Sequence, residues 1–170
     1  APGVLPYVAR IQLAYFRGLE PEPNLISTVK EAYSSWPFRT VSTATLDSFV
    51  RCQVEGRCKL PDTQALAILN APLQNPRLST ADRAEVLKLV AQYRINRLND
   101  LSSGSELVQQ AIGLYDKSES RLMYAQCLAL QQKYNEALVQ LDRAAALDRF
   151  GTLRGRIDQE RTAIRIAQTK

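Results

Sequence analysis

Residues 121–148 constrain the possible fold more than any other part of this sequence, because they contain two short helical patterns joined by a tight turn. Small residues recur where two helices would touch, at Ala125, Ala137 and Ala144. Larger apolar residues surround them at helical spacing: Leu122, Leu128, Tyr134, Leu141 and Leu147. Each helix is too narrow to bury its own apolar face, so an adjoining helix pair is needed to cover it. The pattern predicts a scaffold built from helix pairs.

The first half of the chain continues the helical spacing of apolar residues. We predict a helix over residues 4–16, a second that begins after Asn24 and ends at Trp36-Pro37, a third from Thr40 or Ser42 to about Val54, and a short fourth from Pro61-Asp62 to Pro72. The inner faces of the last three are expected to hold Leu25, Val29, Ala32 and Tyr33, then Leu46, Phe49 and Val50, and then Leu66, Ile68 and Leu69.

The second half begins with a strong helix-start signal, in which Ser79 or Thr80 is followed by Asp82 and Glu85. We expect a polar break over residues 99–105 and another helix over residues 106–115. The inner positions of these helices and of a last amphipathic helix are Val86, Leu87, Leu89, Val90, Tyr93 and Ile95, then Leu107, Val108, Ala111 and Leu114, and finally Leu153, Ile157, Ile164 and Ala167. No segment shows the two-residue alternation of a strand, so the chain is predicted to be all-α.

The 121–148 unit resembles the tetratricopeptide repeat, a 34-residue helix-turn-helix unit. The matching positions are Tyr124-Ala125, Leu128, Tyr134, Glu136-Ala137, Leu141, Ala144 and Leu147-Asp148. Gln132 stands where the family usually has a turn glycine, and Arg149 replaces the usual closing proline. A weaker copy precedes it: Val108, Ala111 and Leu114 lie 33 residues before Leu141, Ala144 and Leu147.

This resemblance implies a right-handed superhelix of antiparallel helix pairs, with residues 1–170 as a single helical-repeat domain. Residues 1–78 would hold divergent helix pairs, residues 79–150 the repeats, and residues 151–170 a helix that caps the stack. Tetratricopeptide arrays bind proteins or peptides on a concave surface, chiefly through the first helix of each pair. The resemblance therefore implies that five polar residues bind the partner: Gln92, Asn96, Asn99, Arg121 and Gln126. The alternative for each is an ordinary solvated polar residue with no binding role.

A second resemblance lies in the layout of the chain. The start at Pro2-Gly3, the segment WPFRTVSTATLDSF, the degenerate repeats and the basic tail are similar to the extracytoplasmic C-terminal region of bacterial membrane glycan polymerases and O-antigen ligases. This likeness implies a periplasmic piece of a longer, membrane-anchored protein, which positions a partner protein, a glycan or a glycolipid acceptor. The bond-making groups would then lie in membrane-spanning parts outside these residues.

Catalytic chemistry is poorly supported by the residue types present. There is no histidine, which removes the commonest general base and metal ligand, and three cysteines cannot complete a four-ligand zinc site. The carboxylate pairs Glu20/Glu22 and Asp158/Glu160 have no apolar surroundings in sequence that would raise one pKa. We predict a non-catalytic interaction scaffold with no catalytic, metal-binding or cofactor-binding residues. The alternative from a different class is a soluble carbohydrate-active enzyme.

Two of the cysteines are candidates for a disulfide. Cys52 and Cys58 bracket QVEGR, and Gly56 would let the chain reverse between them. A bridge would favour the periplasm, whereas two reduced thiols would favour the cytoplasm. Cys127 lies among inward residues and is expected to be an inert core thiol.

Charge and aromatic residues leave the choice of partner open. The chain carries 22 Lys and Arg against 17 Asp and Glu, a net charge of +5, but the two signs are interspersed even in the basic tail, so nucleic acid is not favoured as a partner. No stretch reaches the roughly eighteen apolar residues of a membrane span. Four aromatic residues cluster in the first part of the sequence: Tyr33, Trp36, Phe38 and Phe49. We expect them to pack in the core, and the alternative is that they line a groove that stacks on sugar rings or binds a peptide side chain.

Overall fold

The computed structural model describes Arg10, Ala14, residues 23–35 and residues 40–169, and the fold over these residues is all-α, as predicted. It contains α1 (Pro23–Ser35), α2 (Thr40–Val54), α3 (Asp62–Asn70), a 3₁₀ turn (Ala71–Gln74), α4 (Thr80–Leu98), α5 (Leu101–Leu114), α6 (Ser118–Leu130), α7 (Tyr134–Leu147) and α8 (Arg154–Gln168). The helix predicted over residues 4–16 lies outside the described residues except for Arg10 and Ala14, which are both helical.

The helices α1 to α4 share the larger apolar cluster of the molecule. The inner residues predicted for α1 and α2 are all buried there, from Val29 and Tyr33 on α1 to Phe49 and Val50 on α2. Tyr33 and Phe49 are thus core aromatics, whereas Trp36 and Phe38 lie outside the described residues. Burying these large side chains supplies much of the apolar area that stabilises this half of the chain.

A disulfide joins Cys52 and Cys58 at the end of α2, which confirms the predicted pairing. The Cα atoms of the two cysteines are 5.1 Å apart, and the backbone N–H of Cys58 donates to the carbonyl of Cys52 at 2.9 Å. Gly56 makes the reversal with a φ of 71°, a conformation that costs residues with a Cβ several tenths to a few kcal/mol. The predicted role of Gly56 is therefore confirmed.

The start of α4 is capped as predicted, because the Ser79 hydroxyl accepts from the backbone N–H of Asp82 at 3.1 Å. The polar break predicted over residues 99–105 is wrong: α5 already begins at Leu101. Asn99 ends α4 in the left-handed conformation, with φ 55°, and the Asp100 carboxylate accepts from the N–H of Ser103 at 3.2 Å to start α5. A two-residue connection is enough because one residue stops the first helix and the next caps the second.

Gly104 lies inside α5 rather than in a loop, and it is buried against α4. A Cβ at this position would overlap the Ile95 side chain and approach the Ala91 carbonyl oxygen to 3.3 Å. The glycine that suggests a break in the sequence is thus a close-packing residue, which lets the antiparallel helices α4 and α5 approach each other.

The turn between α6 and α7 forms despite the missing glycine, because Gln132 itself adopts φ 62°. The backbone N–H of Lys133 donates to the carbonyl of Leu128 at 2.9 Å and closes the turn. Ala125, Ala137 and Ala144 are fully buried, as predicted from their small size. The departure at Gln132 therefore leaves the helix-turn-helix geometry of the unit unchanged.

Leu114 and Leu147 are exceptions to the predicted inner faces, because each is 39% exposed. Both are the last residues of their helices, α5 and α7. The helical period predicts the direction of these side chains, but it does not predict how completely neighbouring residues cover them at a helix end.

Each helix after α3 packs chiefly on its neighbours in the chain: α4 on α5, α5 on α6, α6 on α7 and α7 on α8. The last helix adds Leu153, Ile157 and Ile164 to the apolar cluster of α6 and α7, in line with the predicted inner face. A smaller cluster of Ala84, Leu87 and Ala111 lies between α4 and α5. None of the helices in the described ranges is both long and apolar enough to cross a bilayer.

Candidate functional site

A groove of about 490 Å³ lies between α4, α6 and α8. These are the first helices of two successive pairs and the final helix, and Tyr134 at the start of α7 closes one side. The lining residues are mainly apolar, and those used below are Gln92, Ile95, Asn96, Met123, Gln126, Leu130, Glu160 and Ala163. Concave, mostly apolar surfaces with a few polar groups are the usual form of binding sites.

The apolar part of the groove is open to solvent. Ile95 and Met123 are half-buried, and Leu130 at the end of α6 is 67% exposed. Ile164 and Cys127 lie beneath them and are buried. Water in contact with such a surface would be released when an apolar partner covers it, so this face can contribute binding free energy.

The polar part consists of amide side chains and one carboxylate. Gln92 and Asn96 lie one helical turn apart on α4, and Gln126 faces them from α6. The Nε2 atom of Gln126 donates to Oε1 of Glu160, which connects α6 to α8 across the groove. Amides both donate and accept, so they can pair with the N–H and C=O groups of a peptide backbone.

The structure brings together three of the five predicted binding residues, because Gln92, Asn96 and Gln126 all line the groove. Asn99 lies beyond it, as the left-handed residue that ends α4. Arg121 does not line the groove either: its guanidinium donates to the Asp116 carboxylate at 2.7 and 2.8 Å and to Gln140 at 2.6 Å. Two of the five positions thus have evident structural roles.

None of the predicted binding residues lies on α8, which forms one wall of the groove. Glu160, Ala163 and Ala167 recur at a helical spacing of three and four on α8 and line the groove. Ala167, which is predicted on the inner face with Ile157 and Ile164, is half-buried in this wall. The spacing of Ala163 and Ala167 is the sequence signal for this wall, whereas the tetratricopeptide resemblance implies only a capping role for α8. The Asp158/Glu160 pair does not form one site, since Asp158 pairs with Arg161 at 3.1 Å while Glu160 faces the groove.

Two ionisable groups in or near the groove have raised pKa values. Burial raises the pKa of the Cys127 thiol to about 11, so at neutral pH it is neither a nucleophile nor a metal ligand. Desolvation also raises the pKa of Tyr124, whose hydroxyl pairs with the Gln109 amide. Within the ranges that the structure describes, no group of three or more metal-ligating side chains comes together.

Comparisons of this chain with protein families, with curated proteins and with solved structures found no match. The geometry of the chain itself is therefore the basis for assigning a function. It offers an apolar groove with polar groups contributed by α4, α6 and α8.

Proposed function

We propose that this chain is a non-catalytic binding module, which holds a protein or peptide segment in the groove between α4, α6 and α8. The observation that supports the proposal best is the groove itself: exposed apolar side chains such as Leu130 lie beside the amides of Gln92, Asn96 and Gln126. Apolar side chains of a partner would occupy the first part, and its backbone would pair with the second. A few such contacts dominate the affinity of most interfaces.

We also propose that the helix pairs α4–α5 and α6–α7 stack in the manner of tetratricopeptide repeats, in a right-handed superhelix capped by α8. Three correspondences 33 residues apart support this proposal: the left-handed residues Asn99 and Gln132, the buried small residues Gly104 and Ala137, and the buried residues Ala111 and Ala144. A left-handed residue thus lies between the two helices of each pair, and a small buried residue lies in the early turns of each second helix. In such a stack the first helices form the concave face, and both first helices, α4 and α6, line the groove.

The module is proposed to work outside the cytoplasm, in a bacterial envelope protein. The disulfide between Cys52 and Cys58 supports this placement, because such bridges persist in oxidising compartments. A role beside a membrane glycan polymerase or O-antigen ligase, in positioning a partner or a glycan acceptor, is a special case of the same proposal. Its test is whether the coding sequence upstream of Ala1 specifies membrane-spanning helices.

The groove is tested by blocking it. Peptides of about twelve residues would be selected from a random displayed library against the full chain. Their affinities would then be measured for the unchanged chain and for two variants. In Ala163→Arg a long side chain enters the groove, whereas in Ala146→Arg the same change is made at an exposed position of α7 outside the groove. We expect Ala163→Arg to weaken the selected peptides at least about tenfold, a typical loss at a contact centre.

The matched control decides the interpretation. Ala146→Arg should leave the affinity of the selected peptides unchanged, since it adds the same charge and length elsewhere on the chain. Equal affinity for all three proteins, or the failure of the library to yield any peptide above background, would contradict the proposed binding groove.

A further inference from the structure

The end of the molecule at which α5 and α7 finish also holds the starts of α6 and α8, because successive helices run antiparallel. Two contacts fix this arrangement. The Ser118 hydroxyl at the start of α6 donates to the Ala144 carbonyl near the end of α7 at 2.7 Å. Lys117 lies 3.5 Å from the Glu85 carboxylate, so the start of α4 reaches the same end.

Exposed apolar side chains concentrate at this end. Of the seven large apolar residues that are exposed in the described part of the chain, four end α5 or α7 or lie within three residues after that end: Leu114, Tyr115, Leu147 and Phe150. We call these four residues, together with Arg149 and Arg154, the helix-end edge. Phe150 is 93% exposed, so almost no protein atom covers its ring. The edge is a separate surface from the groove.

Phe150 is held outward by a hydrogen-bonded turn. The backbone N–H of Arg149 donates to the Leu147 carbonyl at 2.9 Å, and that of Gly151 donates to the Asp148 carbonyl at 3.1 Å. Gly151 adopts φ 68°, which reverses the chain directly after the aromatic residue. The ring thus projects from an ordered turn at the start of α8.

Two arginine side chains at the edge have no charged partner among the residues that the structure describes, whereas the neighbouring carboxylates already form hydrogen bonds or ion pairs. Within the described ranges, the Arg149 and Arg154 guanidiniums make no ion pair and no side-chain hydrogen bond, and both line a cavity of about 570 Å³ beside Phe150. The Asp148 carboxylate accepts from the backbone N–H groups of Thr152 and Leu153, at 3.0 and 2.8 Å. Asp158 pairs with Arg161.

We propose that the helix-end edge docks on the surface of an anionic lipid bilayer. Phe150 would enter the boundary between headgroups and acyl chains, and the Arg149 and Arg154 guanidiniums would contact lipid phosphates. The positive charges of the Arg149 and Arg154 guanidiniums complement the negative charges of the lipid phosphates. A bilayer is favoured over an acidic protein because it accepts a projecting ring without a matching pocket.

Vesicle binding by the full chain tests this inference independently of the groove. Co-sedimentation is measured with vesicles of 70% phosphatidylcholine and 30% phosphatidylglycerol, and with pure phosphatidylcholine, at ~0.1 M salt. We expect binding to the anionic vesicles only. Phe150→Ser should weaken it about tenfold, and Arg149→Gln or Arg154→Gln about fivefold each.

Two changes near the other end of α8 serve as matched controls. Ile166→Ser removes an exposed apolar side chain, and Arg165→Gln removes an exposed charge, each outside the edge. Both should bind anionic vesicles as the unchanged chain does. All the positions changed are exposed, so each variant should retain its helical circular dichroism.

Three outcomes would overturn the proposal. The first is the absence of binding to anionic vesicles. The second is an equal loss of vesicle binding in the edge and control variants, which would indicate a general attraction of a basic protein to the anionic surface. The third is retention of a poly-glutamate peptide that depends on the edge residues, without vesicle binding, which would indicate an acidic protein partner.

Discussion

At the scale of single residues, two glycines of α5 have opposite surroundings. Gly104 packs against Ile95 and the Ala91 carbonyl, whereas a Cβ at Gly113 would meet no atom within 4 Å. Gly104→Ala should therefore lower the free energy of unfolding by about 1–3 kcal/mol through overpacking. Gly113→Ala should raise it by up to about 1 kcal/mol, because alanine is the better helix former. Urea denaturation measures both, and stabilisation by Gly104→Ala would contradict the close approach of α4 and α5.

The three cysteines provide a second residue-scale prediction. Cys127 is buried and its pKa is raised to about 11 by desolvation, so its thiolate is scarce at pH 8. We expect a thiol reagent to find no reactive sulfhydryl in the native protein, one after denaturation without reductant, and three after reduction. Three sulfhydryls in denatured, unreduced protein would exclude the Cys52–Cys58 bridge.

At the scale of elements, α8 is held by one apolar face. Ile157 is buried against α6 and α7, whereas Ile166 on the same helix is 54% exposed. Ile157→Ala should therefore lower the free energy of unfolding by about 2–5 kcal/mol, while Ile166→Ala should change it by no more than about 0.5 kcal/mol. Chemical denaturation of both variants compares them directly. Similar losses would mean that α8 does not pack through its predicted face.

A polar contact ties α3 to α4. The Tyr93 hydroxyl donates to Asp62 Oδ1, and Arg97 Nε donates to the same atom at 3.2 Å. The Tyr93 hydrogen bond, with a smaller effect from Arg97, lowers the pKa of Asp62. Because the folded state binds this proton less readily than the unfolded state, the contact stabilises the fold above the ordinary carboxyl pKa. That stabilisation is lost as the pH falls through the lowered pKa.

Asp62→Asn tests this pH dependence, because asparagine resembles the protonated acid. We expect the variant to be less stable than the unchanged chain at pH 7, and the difference to shrink as the pH falls to about 3 or below. Urea denaturation across this range measures it. Glu106→Gln, at an exposed position of α5, should leave stability unchanged throughout. A difference for Asp62→Asn that stays constant with pH would contradict the assigned role.

At the scale of the whole molecule, the apolar residues form one cluster over α1 to α4 and another over α6 to α8. In a stack of units that contact only their neighbours, a local loss of stability should stay local. Ile157→Ala should therefore accelerate amide hydrogen exchange in α6 to α8 and leave α2 and α3 protected. Mass spectrometry of peptide fragments resolves the two regions. Uniform acceleration would indicate one cooperative unit and would count against a stacked architecture.

Much of the fold follows from the sequence because a helix that buries one face must repeat apolar residues with its own period. Val29, Phe49, Ala137 and Ile157 are buried as that period predicts. The break predicted around Gly104 failed for a different reason: the same residue type serves loops and close helix contacts, and only the position of Ile95 distinguishes them. The division of residues 1–170 into divergent pairs, repeats and cap stays a prediction.

The sequence by itself determined the all-α class and most helix boundaries and made Cys52 and Cys58 candidates for a disulfide, since these depend on local spacing and turn residues. Only the tertiary structure decided that Gln92, Asn96 and Gln126 share a surface with Glu160 of α8, while Asn99 and Arg121 do not. Gln92, Gln126 and Glu160 are each 34 residues apart in sequence and meet because α4, α6 and α8 lie side by side. The physical reason is that the helical period records which residues face the core, whereas the distance between polar side chains on different helices is set by how the apolar faces beneath them pack.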